Sequence, residues 1–67
     1  MSGEEIGNRI KKIRKTKKIT QSELAKNTGI LRANISRLEK GKHSPNLETL
    51  EKIADALGIP VSNLVAK

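Results

Sequence analysis

The sequence predicts an all-α fold, five short helices packed into one compact domain over residues 1–67. Three observations lead there. Apolar residues recur at helical spacing: Ile6, Ile10 and Ile13 form one stripe, and Leu47, Leu50, Ile53, Ala54 and Leu57 form another. Helix punctuation is dense, since Ser2–Glu5 and Thr20–Glu23 both read as capping boxes and Gly29, Gly41 and Gly58 stand where helices would stop. No segment alternates apolar and polar residues convincingly enough for a strand.

The first helix begins behind Ser2, whose side chain would cap it while Glu5 reaches back from the third helical position. Lys11, Lys12, Lys15 and Lys18 fall largely off its apolar stripe, and the helix fades near Thr16 to Lys18. Helix 2 starts at Gln21, behind Thr20-Gln-Ser-Glu23, with Leu24 and Ala25 on its inner face. It ends at Gly29, where a left-handed residue is needed. Helix 3 runs from about Arg32 to Lys40, with Ile35 and Leu38 inward and Arg32, Ala33, Ser36 and Arg37 on the other side, and Gly41 ends it. Residues 42 to 45 form a loop. Asn46 is the expected N-cap of helix 4, with Glu48 in its positive first turn, and Leu47, Leu50, Ile53, Ala54 and Leu57 are its expected buried stripe. Gly58 closes that helix, and Pro60 opens a last short one anchored by Leu64. There is no internal repeat, low-complexity tract or linker, and only the last two or three residues read as a tail.

Composition narrows the chemistry. With no aromatic residue, the core must come from Val, Ala, eight Ile and seven Leu. A chain this short buries only about 60% of its unfolded surface, so its stability is expected to be modest. The lack of Cys excludes disulfides and thiolate metal sites and suits a reducing cytoplasm. No apolar run nears the ~20 residues of a membrane span, and no signal-peptide core is present, so a soluble cytoplasmic protein is expected. Of the net charge of +7, the basic share is concentrated: residues 9 to 42 hold twelve Lys/Arg against two acids, Glu23 and Glu39. Such a patch either favours a polyanion such as nucleic acid or is a solvated, solubilising surface.

The stretch Gln21 to Glu39 places two helix-length segments on either side of one glycine. Ala25 lies four residues before Gly29, and Ile30, Ile35 and Leu38 follow at spacings that press the second segment onto the first. This is the pattern of a helix-turn-helix, which lays its second helix in the major groove of DNA. Arg32, Asn34 and Arg37 are side-chain types that read base edges.

The chain resembles the lambda-repressor-like domain family of phage repressors, Cro proteins and small bacterial and archaeal regulators. The residues that carry the resemblance are Ile10 to Arg14, Thr20 to Ala25, Gly29-Ile30, Ile35-Ser36, Glu39, Gly41-Lys42, Pro45 and Leu47 to Ile59, in family order over nearly the whole chain. The resemblance implies that helix 3 reads bases. Arg32 falls at the first base-reading position, suited to O6 and N7 of guanine, and Arg37 at another. Ala33 is suited to a thymine methyl, and Asn34 to adenine or phosphate. Gln21, at the positive start of helix 2, would hold phosphate and buttress Arg32. Lys40, Lys42 and Asn46 surround the loop after helix 3 and would clamp the backbone, with Lys42 and Asn46 the better family matches. Glu39 matches a carboxylate that pairs with an arginine of helix 1, here Arg14.

Leu31 departs from the family pattern, standing where a Ser or Thr usually caps the recognition helix. Its spacing, four before Ile35 and seven before Leu38, favours packing along the buried stripe; the alternative is contact with a DNA sugar or a thymine methyl. His43 is the single histidine, so no metal site is expected; a loop position near phosphate is the better reading. No catalytic constellation and no cofactor site is evident, and an enzyme is not expected.

The sequence reading is therefore a sequence-specific regulator of transcription, of the repressor kind. It would bind an operator in double-stranded DNA as a homodimer through residues 59–66, above all Val61 and Val65. The rival readings are an antitoxin with a toxin partner and a protein-interaction module on the same fold. The second would show an apolar or acidic outer face on helix 3, against which Arg32 and Arg37 stand.

Overall fold

The computed structural model describes residues 3–42 and 44–65, and these form five α-helices without a strand. They are α1 (Gly3–Thr16), α2 (Gln21–Thr28), α3 (Arg32–Glu39), α4 (Leu47–Leu57) and α5 (Ser62–Val65). The expected caps of Ser2 and the loop position of His43 lie outside the described residues.

Local chemistry sets the boundaries. Thr20 caps α2 in a complete capping box: its hydroxyl accepts from the Glu23 N–H at 3.0 Å, and the Glu23 carboxylate accepts from the Thr20 N–H at 3.0 Å. Hydrogen bonding from Thr20 to the carboxylate, by its backbone N–H first and its side chain second, holds the Glu23 carboxyl below its ordinary value. Asn46 caps α4 by accepting from the Thr49 N–H at 2.8 Å. Gly29 and Gly58 close α2 and α4 in the left-handed conformation. The last helix starts later than Pro60; the carbonyls of Pro60 and Val61 accept its first bonds, from Asn63 and Leu64.

The end of α1 has no glycine. The chain makes the same six-residue loop-back found after α3, with Lys18 N–H bonding Lys15 and Ile19 N–H bonding Arg14. Lys18 therefore occupies the left-handed position at φ 59°, the one non-glycine among the described residues to do so. After α3 the equivalent place is taken by Gly41 at φ 72°.

The core joins all five helices through Ile6, Ile10, Leu24, Ile35, Leu38, Leu50, Ile53, Ala54, Leu57 and Leu64. Ile13, Ile19, Ala25, Ile30, Ala56, Ile59 and Val61 pack around it, partly buried. Two positions correct the sequence reading. Leu47 is 63% exposed rather than part of the α4 stripe, and Leu31 is 71% exposed rather than packed along that of α3. Leu47 opens its helix, one turn before the first residue that α4 lays on the core. Leu31 has extended backbone (φ −61°, ψ 139°), so helical spacing does not describe where its side chain goes.

α1 and α3 cross in close backbone contact. Gly7 is buried at this crossing, and a Cβ there would lie 2.0 Å from the Leu38 carbonyl oxygen. At Gly41, beyond the end of α3, it would lie 2.8 Å from the Glu4 Cα. Both contacts are with backbone, which no rotamer change can relieve.

These features make opposite predictions for two single substitutions. Gly7→Ala should lower stability by at least about 2 kcal/mol through overpacking, despite the better helix propensity of alanine. Lys18→Gly should raise it by about 0.5–1 kcal/mol by removing a left-handed side chain. Thermal denaturation checks both, and a Gly7→Ala variant as stable as the parent would show that α1 and α3 can separate without loss.

Candidate nucleic-acid interface

The helix-turn-helix is built from α2, the Gly29–Leu31 turn and α3. Its corner is fixed by backbone and by one hydroxyl. Gly29 donates its N–H to Ala25 at 2.9 Å, and the Thr28 hydroxyl donates to the Leu24 carbonyl at 2.7 Å while accepting from the Ile30 N–H at 3.2 Å. Sequence reasoning passed over Thr28, because a threonine at a helix end carries no distinctive pattern. Ile35 and Leu38 then bury one side of α3, and Glu39 is buried beside them.

With that side inward, Arg32, Ala33, Asn34 and Arg37 are all exposed. They share the outer surface of an eight-residue helix. Leu31 is the N-cap residue and supplies no side-chain hydrogen bond; its carbonyl accepts from Asn34 and Ile35 at 2.9 and 3.1 Å. A Ser or Thr there would typically add about 1 kcal/mol. Lys40 and Lys42 are exposed at the far end of α3, and Lys42 donates its backbone N–H to Arg37 at 3.1 Å, which fixes the turn that carries it. Asn46 is exposed as well, but its side-chain oxygen is committed to capping α4. Only its amide N–H₂ remains to meet an anion.

Beneath this surface lies a buried ion pair. Arg14 Nε donates to Glu39 Oε2 at 2.6 Å and Nη2 to Oε1 at 2.9 Å, a two-point fork. Nη1 donates to the Ile19 carbonyl at 2.7 Å. Both residues are nearly inaccessible, at 7% and 4% exposure. The hydrogen bond to Glu39 is the largest influence on the guanidinium and raises its pKa; burial opposes this, and the Glu39 charge adds to it.

Gln21 joins the network: its amide nitrogen donates to Glu39 Oε1 at 3.1 Å. An ionised carboxylate only accepts, so the nitrogen of Gln21 must face it. That leaves the Gln21 carbonyl oxygen and its second amide hydrogen for other partners. The half-buried Gln21 thus bridges the buried carboxylate and the start of α2, where the first-turn N–H groups lack helical acceptors.

Residues 59–66 divide by role. Leu64 is fully buried, Ile59 and Val61 are partly buried against the core, and Val65 is 39% exposed; residue 66 lies outside the described residues. No described helix is long and apolar enough to cross a membrane.

Comparison with known proteins agrees with this architecture. Residues 10–64 match the HTH_3 helix-turn-helix family. The chain is 44% identical over 62 residues to the immunity repressor protein of Bacillus phage phi105, a match covering 92% of the chain and 43% of the relative. It is 38% identical over 65 residues to the HTH-type transcriptional repressor RghR of Bacillus subtilis, covering 96% and 48%. The chain thus spans about half the length of these curated relatives. Among solved structures, the restriction-modification controller protein C.AhdI from Aeromonas hydrophila superposes with a TM-score of 0.89 at 29% identity, covering 92% of this chain and 94% of that one.

The buried pair yields a stability prediction. Arg14→Ala leaves the Ile19 carbonyl without its Arg14 donor and the buried Glu39 charge without its cation, Gln21 alone still donating to it, and should cost about 3–5 kcal/mol. Lys15→Ala, one residue away and exposed, should change stability by less than about 0.5 kcal/mol. Equal melting temperatures would remove the pair from any structural role.

Proposed function

The chain belongs to the HTH_3 helix-turn-helix family, and on that footing we propose that it is a sequence-specific DNA-binding regulator of transcription, acting as a repressor. The observation that carries this reading is the division of α3. Ile35, Leu38 and Glu39 are buried, while Arg32, Ala33, Asn34 and Arg37 are exposed together on the outer surface of the helix. The repressor names of the phage phi105 and Bacillus subtilis relatives support the same direction of regulation.

In this reading α3 lies in the major groove. Arg32 donates two hydrogen bonds to guanine, and Ala33, Asn34 and Arg37 meet neighbouring base edges. Gln21 holds a phosphate at the start of α2 and steadies Arg32 with its free carbonyl oxygen. Lys40, Lys42 and the Asn46 amide clamp the backbone beyond α3, fixing register without reading sequence. The outer face of α3 is basic rather than apolar or acidic, which favours DNA over a protein-interaction role. Acting on DNA places the protein in the cytoplasm. Pairing through residues 59–66, with Val61 and Val65 foremost, would set two recognition helices on half-sites one turn of DNA apart, about 34–36 Å.

Selection of binding sites from random double-stranded DNA tests the reading. The wild type should enrich a motif at moderate salt, and Arg32→Ala should relax it at one position per half-site. Lys42→Ala should weaken all sequences alike and reduce the salt slope by about one. Absence of any wild-type motif would sink the sequence-specific function. Sedimentation tests the pairing: a monomer at high concentration, with and without selected DNA, would rule out dimerisation through this surface.

A further inference from the structure

Leu31 is the most exposed large apolar side chain among the described residues, at 71%. It belongs neither to the core nor to the residues packed around it. It occupies the N-cap of α3 and offers that helix no side-chain hydrogen bond. A Ser, Thr, Asp or Asn would satisfy a first-turn N–H there and expose no apolar surface. Leucine at this position therefore adds neither a cap nor buried apolar area to the folded domain, and what sets it apart is where it stands.

Its surroundings narrow what it could meet. Arg32, Ala33 and Asn34 follow directly, all exposed. The N-terminal end of a recognition helix is the part that meets base edges. A cationic surface recruits a polyanion, and the apolar group that DNA presents in its major groove is the C5-methyl of thymine. Leu47, the other exposed leucine, opens α4 behind the Asn46 cap and has no base-reading neighbours.

We infer that Leu31 reads a thymine, packing its side chain on the C5-methyl group within two base pairs of the guanine read by Arg32. The inference rests on the proposed DNA-reading function and adds a specificity element to it. A polar cap at position 31 would hold α3 better and read one base fewer. The folded domain gives up helix capping, and the complex gains discrimination.

The test uses the motif selected by the wild type. Each thymine of a half-site is replaced singly by deoxyuridine, which deletes the methyl group and preserves pairing. One thymine beside the Arg32-dependent guanine should show about a fourfold loss of affinity, the equilibrium equivalent of unburying one methyl-sized group. Leu31→Ser should abolish that dependence, keep the guanine preference and raise the melting temperature. Leu31→Ala should abolish it without the gain in stability. Loss of the dependence in the Leu31 variants, with Ala33 unchanged, separates this contact from one made by Ala33. Affinity indifferent to every thymine methyl, or a dependence that survives Leu31→Ser, overturns the inference and leaves the proposed function standing. A wild type that selects no motif overturns both. Identical motifs and affinities for wild type and Leu31→Ser would assign Leu31 to another partner and also overturn it.

Discussion

Arg14 reaches from α1 to two places at once: the carboxylate of Glu39 in α3, and the carbonyl of Ile19 in the segment that leads into α2. Glu39 in turn accepts from Gln21 at the head of α2. One buried salt bridge thus ties together the three helices that decide how the helix-turn-helix is presented. Such pairs contribute little net stability, because desolvating two charges roughly cancels their attraction. What they impose is geometry. A fork of two short bonds tolerates little rotation, so the end of α3 cannot turn relative to α1 without breaking it. Among the described residues no buried side-chain polar atom is left unpaired, and the network opens outward only through the half-buried Gln21.

That constraint matters because α3 cannot define itself. Eight residues fall short of the roughly 12–15 at which an isolated helix becomes even marginal in water, and its N-terminus lacks a side-chain cap. Its helicity and orientation come from Ile35 and Leu38 in the core, from Glu39 on Arg14, and from the close crossing that Gly7 permits. The loop-back at Gly41 completes the hold at the far end. A recognition helix anchored only along its inner side and at its C-terminal end keeps its N-terminal residues free. In the proposed reading those are the residues that meet base pairs.

Most of this fold was legible in the sequence because its signals are local. The Thr20–Glu23 box, the Asn46 cap and the glycines at 29 and 58 each act within a few residues, and each appears in its expected role. Ile35 and Leu38 were legible because mid-helix spacing maps reliably onto a face. The failures share a cause. Helical periodicity points Leu31 and Leu47 inward, but it fails at helix starts, where the chain is not yet helical or not yet over the core. Gly7 was invisible because a glycine inside a helix reads as a weak former, and its use depends on a backbone 31 residues away at Leu38. Lys18 in a left-handed turn was likewise hidden, since nothing in its identity favours that conformation. The Arg14–Glu39 pair came from family resemblance rather than spacing, and the attachment of Gln21 to it required the structure.

The charge distribution connects the fold to its proposed use. Twelve basic residues between positions 9 and 42 repel one another across a domain with a radius of gyration of 10.2 Å, and excess charge of one sign destabilises a compact state. The two acids retained in that region do not dilute the exposed α3 surface: Glu39 is buried on Arg14, and Glu23 is held in the α2 capping box. The repulsion therefore remains concentrated where phosphate would relieve it. A ligand that binds only the folded chain adds stability in proportion to RT ln(1 + [L]/Kd), so a small domain with no aromatic residue in its core can be modestly stable alone and firm on DNA. The same reasoning covers the uncapped start of α3 and the exposed leucine beside it, each a local weakness of the free domain at a point where the complex would make contact.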